Sequence, residues 1–211
     1  GNVVAERRQI LNHVSNAPAF LKRIGWEVST AMFRTHPLTG GGRSHDDFYP
    51  IKINRETVRP GVIAYDIFGH VGIVYDVMDD GRIMVVASHP DNTVSRSTYG
   101  PNFMRSQPDL GAGLKAWRPI RVDGAVRSAD GSLAGGSLQA ASNDAIPGFS
   151  MEQYFGNVPA TSGVWHEGSF RHNGRTLRYY DYVRRALAAP DFAYDPVAEL
   201  RFGMRSICTS I

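Results

Sequence analysis

The chain has 211 residues, of which 42% are hydrophobic and 20% are charged, and its formal net charge is +3. This composition is typical of one globular domain with a substantial core, and so small a charge surplus does not favour a nucleic-acid partner. No run of residues approaches the roughly 18 apolar positions of a membrane span. The sequence shows no basic and apolar leader, so a periplasmic or secreted location would require a signal peptide that has already been removed.

The first two elements are predicted to be helices. Apolar residues at helical spacing predict one helix from Val3 to Val14. A second helix is predicted to begin at Pro18, because proline fits the first turn of a helix. It is predicted to end before Pro37, because the residue before a proline avoids the helical region.

The centre of the chain is predicted to be a β-hairpin between residues 59 and 90. Its two arms are rich in the β-branched residues that suit a pleated sheet. Asp80-Gly81 is a strong signal for a two-residue type I′ turn, which needs positive φ at both positions. This turn would place Asp79 opposite Arg82.

That register decides where two histidines lie. It pairs His70 with Asp91 and Gly72 with His89, so the imidazoles share one face as diagonal neighbours, roughly 7–8 Å apart at the backbone. Gly72 would then leave open space beside His89. A three-residue turn would shift the pairing by one residue and send the histidines to opposite faces. The two-residue turn therefore predicts a histidine site at the mouth of the hairpin.

The second half of the chain is predicted to alternate short elements with loops. In chain order these are a strand from Gly113 to Val122, a flexible Ala/Gly/Ser/Asp-rich insertion at 123–147, a short helix from Met151 to Phe155, a hairpin around His172-Asn173-Gly174 and a helix from Tyr179 to Ala188.

The last predicted helix begins at Asp195-Pro196, an N-cap followed by proline in the first turn. Its apolar residues recur at helical spacing at Val197, Leu200, Met204, Ile207, Cys208 and Ile211. Cys208 is the single cysteine, so an internal disulfide is excluded. Its position on the apolar face is typical of an inert cysteine, and a structural role for it stands beside a reactive one.

The stretches Pro60 to Tyr65 and Gly69 to Val74 resemble the NlpC/P60 papain-like superfamily. Its members carry a Pro-Gly-Asp turn, an apolar strand and a histidine that opens the next strand in a similar His-Val-Gly-Ile context. Here Val62 stands where the family usually has aspartate. The resemblance implies an α+β fold with an antiparallel sheet and helices packed on it, formed by residues 1–211 as a single domain.

The order of the reactive residues is similar to that of the circularly permuted branch. There a histidine is followed by a polar residue on the next strand and then by a cysteine on a late helix, as are His70, His89 and Cys208. In ordinary members the cysteine lies on a helix upstream of the histidine, and the predicted helix from Pro18 contains none.

The resemblance implies a bacterial thiol hydrolase of amide bonds, a peptidase or amidase acting on peptides such as those of the peptidoglycan cell wall. Cys208 would be the nucleophile, His70 the general base and His89 the group that orients the ring of His70. No cofactor is expected, and the oligomeric state is open. The expected substrate-binding residues are Tyr65, Asp66 and Asp91.

Two other interpretations remain open. One is a metal-dependent hydrolase, since histidine and carboxylate ligands suit zinc, although none has the His-x-x-x-His spacing of a helical site; its candidate ligands are His45, Asp47, His70, His89 and Asp91. The other is a non-catalytic papain-like module that binds cell-wall fragments or a protein partner. Cys208 lies deep in its predicted helix, where the helix dipole does little to lower a thiol pKa.

Overall fold

A computed structural model describes residues 17–34, 47–103, 105, 107–158, 165 and 168–208. The predicted helix from Val3 to Val14 lies outside these residues. Four helices are described: α1 (Ala17–Glu27), α2 (Glu152–Phe155), α3 (Tyr179–Leu187) and α4 (Pro196–Cys208). The described strands are β1 (Phe48–Pro50), β2 (Ile63–Tyr65), β3 (Val71–Val77), β4 (Ile83–Ser88), β5 (Val94–Thr98), β6 (Gly113–Trp117), β7 (Ile120–Asp123), β8 (Val126–Arg127), β9 (Leu133–Ala134), β10 (Ser137–Ala140), β11 (Phe170–His172) and β12 (Arg175–Leu177).

Six of the strands form an antiparallel sheet in the order β1-β6-β2-β3-β4-β5. Strands β2 to β5 follow one another through hairpins, so β5 lies at one edge of the sheet. The remaining strands form three two-stranded ribbons. The prediction of an α+β fold with an antiparallel sheet is confirmed. None of the described helices is both long and apolar enough to cross a membrane.

The main core lies on the face of the sheet that carries Val74, Val85 and Leu114, which we call the core face. Alternate residues of each strand point to it because the side-chain period of a strand is two. Helix α3 and strand β11 cover this face with large buried side chains, among them Phe170, Tyr179, Tyr182, Val183 and Leu187. A smaller cluster on the opposite face contains Phe48, Ile63, Tyr65 and Ala112, with Phe33 packed against it.

The same three-residue turn closes four of the described hairpins, at 66–70, 78–82, 89–93 and 128–132. In each, the N–H of the first residue donates to the carbonyl of the fifth, and the N–H of the fourth donates to the carbonyl of the first. The fourth residue adopts a left-handed conformation, which favours glycine or asparagine. Its φ is 94° at Gly69, 81° at Gly81, 67° at Asn92 and 84° at Gly131.

The predicted two-residue turn at Asp80-Gly81 is therefore wrong. Met78 faces Arg82, and the turn consists of the three residues between them. A type I′ turn needs positive φ at both central residues, and only Gly81 has it. The Oδ1 of Asp80 accepts a hydrogen bond of 3.0 Å from the backbone N–H of Arg82, which stabilises the three-residue form.

Several other elements agree with the sequence predictions. The short helix is α2, the hairpin around Asn173 is β11–β12, and the last two helices are α3 and α4. Helix α1 ends at Glu27, earlier than predicted, and a 3₁₀ turn at Thr30–Phe33 follows it.

The predicted strand from Gly113 to Val122 is two strands. Pro119 interrupts it, β6 belongs to the six-stranded sheet, and β7 pairs with β10 in a separate ribbon. The segment 123–147, predicted as a flexible insertion, contains β8, β9 and β10 and a buried Ile146. Its flexibility stays a prediction.

Candidate functional site

Two histidines lie at the same end of the sheet on neighbouring strands. His70 directly precedes β3, and His89 directly follows β4. The two strands pair Ile73 with Val86, and the same register continued to the strand ends places His70 opposite His89. Residues that face each other across an antiparallel ladder share a face. We call this part of the molecule, with its turns at 66–70 and 89–93, the histidine end.

The register reaches this arrangement by two shifts. The three-residue turn alone would send the histidines to opposite faces. A β-bulge between Val74 and Asp76 moves the pairing by one more residue. Together the shifts return His70 and His89 to a shared face and change their relation from diagonal to facing.

The predicted open space beside Gly72 is wrong. Gly72 is buried, and a Cβ on it would overlap the Cγ1 of Val85. Val85 is the residue opposite Val74, so its side chain reaches diagonally across the hairpin and fills the position. Substrate therefore has no access to the sheet beside Gly72.

The turn before β3 fixes the backbone of His70. The Oδ1 of Asp66 accepts hydrogen bonds from the backbone N–H groups of Phe68, at 2.8 Å, and His70, at 3.0 Å. Asp66, one of the predicted substrate-binding residues, thus has its Oδ1 engaged in shaping the turn. The side chain of His70 is exposed.

His89 is held by the neighbouring strand. Its Nε2 lies 2.8 Å from the Oγ of Ser95 on β5. In the adjoining turn, the Oδ1 of Asp91 accepts hydrogen bonds from the backbone and hydroxyl of Thr93. These two bonds, with a smaller electrostatic contribution from His89, hold the pKa of Asp91 below its ordinary value. The described hydrogen bonds include none between the two imidazole rings.

Two aromatic residues, one just before the 66–70 turn and one within it, lie in different environments. Tyr65, predicted to bind substrate, is only 3% exposed, and the Nζ of the buried Lys115 lies 4.9 Å from its ring centroid. Phe68, which is not among the predicted site residues, is 74% exposed. An aromatic residue in a tight turn next to a candidate catalytic histidine is the signal that could have found it.

Helix α4 is fixed to the hairpin at the turn between β3 and β4. Arg82 contacts Glu199 at 3.0 Å and Asp80 at 2.7 Å. Arg184 of α3 binds the same two carboxylates, with 2.6 Å from its Nη1 to the Oε2 of Glu199. The guanidinium carbon of Arg82 also lies 3.4 Å from the ring centroid of Phe202. We call these residues the α4 anchor.

The α4 anchor and the histidine end lie at opposite ends of the β3–β4 hairpin. Residues 203–205 of α4, beyond Phe202, are exposed, and no described atom outside the helix lies within 4 Å of the position of a Cβ on Gly203. Cys208 is the last described residue of α4. The structure thus places His70, His89 and Asp91 at one end of the hairpin, and it fixes the helix that carries Cys208 at the other end.

A cavity of about 700 Å³ opens beside the α4 anchor, away from the histidine end. It lies between the end of α3 and the β11–β12 hairpin, and Arg175, Arg185 and Tyr194 are among its lining residues. Over the part of the chain that the structure describes, no three His, Cys, Asp or Glu side chains are grouped so as to hold a metal ion. His45, one of the candidate ligands, lies outside that part.

The fold and the site define a mixed α+β protein whose antiparallel sheet presents two facing histidines at one end. No protein-family model, no curated protein and no solved structure matches the chain.

Proposed function

We propose that the chain is a cysteine-dependent amide hydrolase with a papain-like fold, related to the circularly permuted branch of the NlpC/P60 superfamily. Its site is the histidine end, and its substrates are peptides, with peptidoglycan peptides as the class that the sequence resemblance implies. The observation that carries the proposal is the β3–β4 register, whose continuation from the Ile73–Val86 pair places His70 opposite His89.

The different environments of the two histidines support the assignment of different roles to them. The exposed ring of His70 can reach a substrate, whereas His89 is half-buried and bonded through Nε2 to Ser95. A neutral imidazole can accept a proton at one nitrogen and interact through the other. His70 would take the proton of the Cys208 thiol while the sulfur attacks the amide carbonyl. The C–N bond would then break, and His70 would return the proton to the departing amine and leave a thioester on the sulfur. Water would hydrolyse this thioester to the free carboxylic acid and restore the thiol.

The nucleophile that the proposal requires is Cys208, the single cysteine of the chain. A thiol attacks efficiently only when a base lies within hydrogen-bonding reach. The structure holds α4 at the other end of the hairpin, so the mechanism requires the α4 anchor to open and the last turn of the helix to approach His70.

A second candidate function is a papain-like module that binds peptides without cutting them. The position of the α4 anchor favours it, because Glu199 and Phe202 contact Arg82 at the end of the hairpin away from the histidines. In that case the histidine end would bind ligand, and Cys208 would have no chemical role.

Hydrolysis assays separate the two candidates. Peptidoglycan fragments and an all-L casein digest are incubated with the protein and with three single variants, Cys208→Ala, His70→Ala and His172→Ala. If the chain is a hydrolase, Cys208→Ala and His70→Ala should each lower the rate of hydrolysis by about 100-fold or more. His172→Ala, in the β11–β12 hairpin, is the matched histidine control and should leave that rate unchanged. Unchanged hydrolysis in Cys208→Ala excludes the thiol mechanism, and ligand binding without hydrolysis in any variant supports the second candidate.

A further inference from the structure

Strand β5 is an exposed edge of the six-stranded sheet. Residues Val94 to Ser97 are exposed along its length, and β4 is its only neighbour in the described sheet. Natural sheets usually protect such an edge with charged side chains, especially lysine, with proline or with a β-bulge. The sequence Val-Ser-Arg-Ser-Thr contains no proline and one charged residue, Arg96, and its five pairs with β4 run without a register shift. Among the residues that the structure describes, no strand covers this edge, and its one charge favours an acidic strand over a basic one.

The hydrogen bonds at the two ends of β5 show which of its backbone groups are used. The N–H of Tyr99 donates to the carbonyl of Ile83 at 2.9 Å, and the N–H of His89 donates to the carbonyl of Thr93 at 3.0 Å. Both pairs belong to the register that joins β4 and β5. Hydrogen-bonded and non-hydrogen-bonded pairs alternate along an antiparallel ladder, so every second residue of β5 points its N–H and carbonyl away from β4. These outward residues are Val94, Arg96 and Thr98.

The side chains of the outward residues lie on the face of the sheet opposite the core face. The hydroxyl of Thr98 lies 3.7 Å from the sulfur of Met84, its partner on β4. The guanidinium carbon of Arg96 is 5.8 Å from the ring centroid of Tyr75. Val94 is 67% exposed. Within the described part of the chain, the edge thus combines three residues whose backbone groups β4 does not use with one cation between smaller side chains.

We propose that the β5 edge binds an extended peptide of L-residues as an additional antiparallel strand, with a carboxylate side chain opposite Arg96. This inference rests on the proposed peptide-directed function and deepens it, since it assigns the way in which a peptide is held. Main-chain hydrogen bonds supply the affinity in this mode, and side chains at alternate positions supply the specificity.

A foreign peptide fits this edge better than a second copy of the chain. Two β5 strands paired antiparallel with full overlap would be related by a two-fold axis at Arg96, and each arginine would face its own copy. Like charges directly opposite each other destabilise a strand pair. An acidic residue at the central position of a peptide has the opposite effect.

The edge is continuous with the histidine end. Ser95 holds the imidazole of His89 through its hydroxyl, at 2.8 Å, and Val94 is the first residue of β5 after the turn that contains Asp91. An added strand lies about 4.8 Å from its neighbour. A peptide that extends past Val94 would therefore arrive beside the histidine end.

Amide hydrogen exchange tests the pairing directly. The probe is the synthetic peptide acetyl-Val-Thr-Glu-Thr-Val-amide, added to the intact chain. In the free protein the amides of Ser95 and Ser97 should exchange slowly and those of Val94, Arg96 and Thr98 rapidly. With peptide, the three outward amides should become protected by about tenfold or more. If the peptide binds and the exchange rates of these three amides do not change, the inference is overturned.

Two substitutions at one position separate backbone from side chain. Arg96→Pro removes an N–H that β4 does not use, which an edge strand can tolerate, whereas Arg96→Ala keeps that N–H and removes the charge. We expect Arg96→Ala to weaken peptide binding about two- to fivefold and Arg96→Pro by about tenfold or more. A probe with lysine in place of glutamate should bind more weakly than the original. Urea denaturation confirms that both variants fold, and equal affinities for the two variants would contradict strand addition.

Failure of this inference is distinguishable from failure of the proposed function. Hydrolysis that depends on Cys208 and His70 but not on Arg96→Pro would exclude the edge and leave the hydrolase intact. Protection of the outward amides in a chain without hydrolytic activity would support the edge and exclude the hydrolase. Absence of probe binding up to millimolar concentration excludes an acidic L-peptide as the occupant.

Discussion

The Cγ1 methyl of Val85 occupies the position that a Cβ on Gly72 would need, so the two residues fit together across the β3–β4 hairpin. Gly72 pairs with Ala64 on one side, and Val85 pairs with Val74 on the other. The absence of a side chain at residue 72 serves close packing of the core and leaves no ligand space.

Gly72→Ala should destabilise the protein by about 1–3 kcal/mol, because an added methyl in a packed core forces a neighbour out of its rotamer. Urea denaturation measures the change. The control is the same substitution in a Val85→Ala background, where the methyl has room. The two single costs should therefore add up to more than the cost of the double variant, and strict additivity would contradict the contact.

The packing of the turn between β3 and β4 predicts that alanine substitutions at Gly81 and Gly174 differ in their cost in stability. Gly81 has a φ of 81°, and a Cβ there would overlap the backbone carbonyl of Arg184. Gly174 has a similar φ of 76°, but apart from its chain neighbours no atom of the described residues lies within 4 Å of the position of a Cβ. Gly174→Ala should cost about 1–2 kcal/mol for its left-handed conformation alone. Gly81→Ala should cost clearly more in the same urea experiment, and equal costs would show that the turn does not pack on α3.

The shared face of the two histidines was predicted from the sequence, but for a reason that the structure corrects. Asp79-Asp80-Gly81 suits a three-residue turn as well as a two-residue one, because both place glycine at a positive φ. The bulge between Val74 and Asp76 carries no distinctive residue type. The three-residue turn and the bulge each shift the pairing by one residue. Together they return the two histidines to the predicted shared face, but they give them different partners across the hairpin from those predicted.

Helix α4 shows why a local sequence pattern does not predict which face of a helix contacts the rest of the domain. Its bounds followed from the N-cap and proline at residues 195 and 196, which act locally. Its apolar residues suggested a face turned to the core, yet Val197 is 55%, Leu200 66% and Met204 61% exposed. The side that contacts the domain carries Glu199 and Phe202, because their partners are two arginines distant in sequence. Such long-range ion pairs leave no periodic signal.

Acid should release α4 from the domain. Hydrogen bonds from Arg184, with further attraction from Arg82, lower the pKa of Glu199 from its ordinary value of 4.5. A carboxylate with a lowered pKa stabilises the folded state above the unfolded pKa, and that stabilisation is lost as the pH falls through the folded value. Amide exchange in α4 should therefore accelerate below about pH 4.5 relative to exchange in β3.

Glu199→Gln should reproduce the release at neutral pH, because the neutral amide cannot pair with both arginines. The matched control is Arg201→Ala, at an exposed position of the same helix. Exchange in α4 that is equally fast in both variants would show that the ion pairs do not hold the helix.

Burial of Glu152 predicts the opposite dependence on pH. Its Oε1 accepts a hydrogen bond of 2.5 Å from the backbone N–H of Ile53, and desolvation raises its pKa above the ordinary 4.5. The folded state then binds the proton more tightly, so stability falls as the pH rises from about 4.5 through the folded value. Glu152→Gln keeps an acceptor and removes the charge. Its urea midpoint should exceed that of the original protein at pH 8 and match it at pH 4, and a lower midpoint at pH 8 would contradict the assignment.

The most direct test of the central claim is a cross-link between the two proposed catalytic positions. A disulfide forms only when two Cα atoms lie about 4.4–6.8 Å apart. The hydrolase mechanism requires α4 to leave its anchor and reach His70, so it predicts that a His70→Cys variant forms an intramolecular disulfide with Cys208 under mild oxidation and that a His172→Cys variant forms none. A free thiol at Cys208 in the His70→Cys variant, with α4 protected at its anchor, would contradict the hydrolase and leave a binding module.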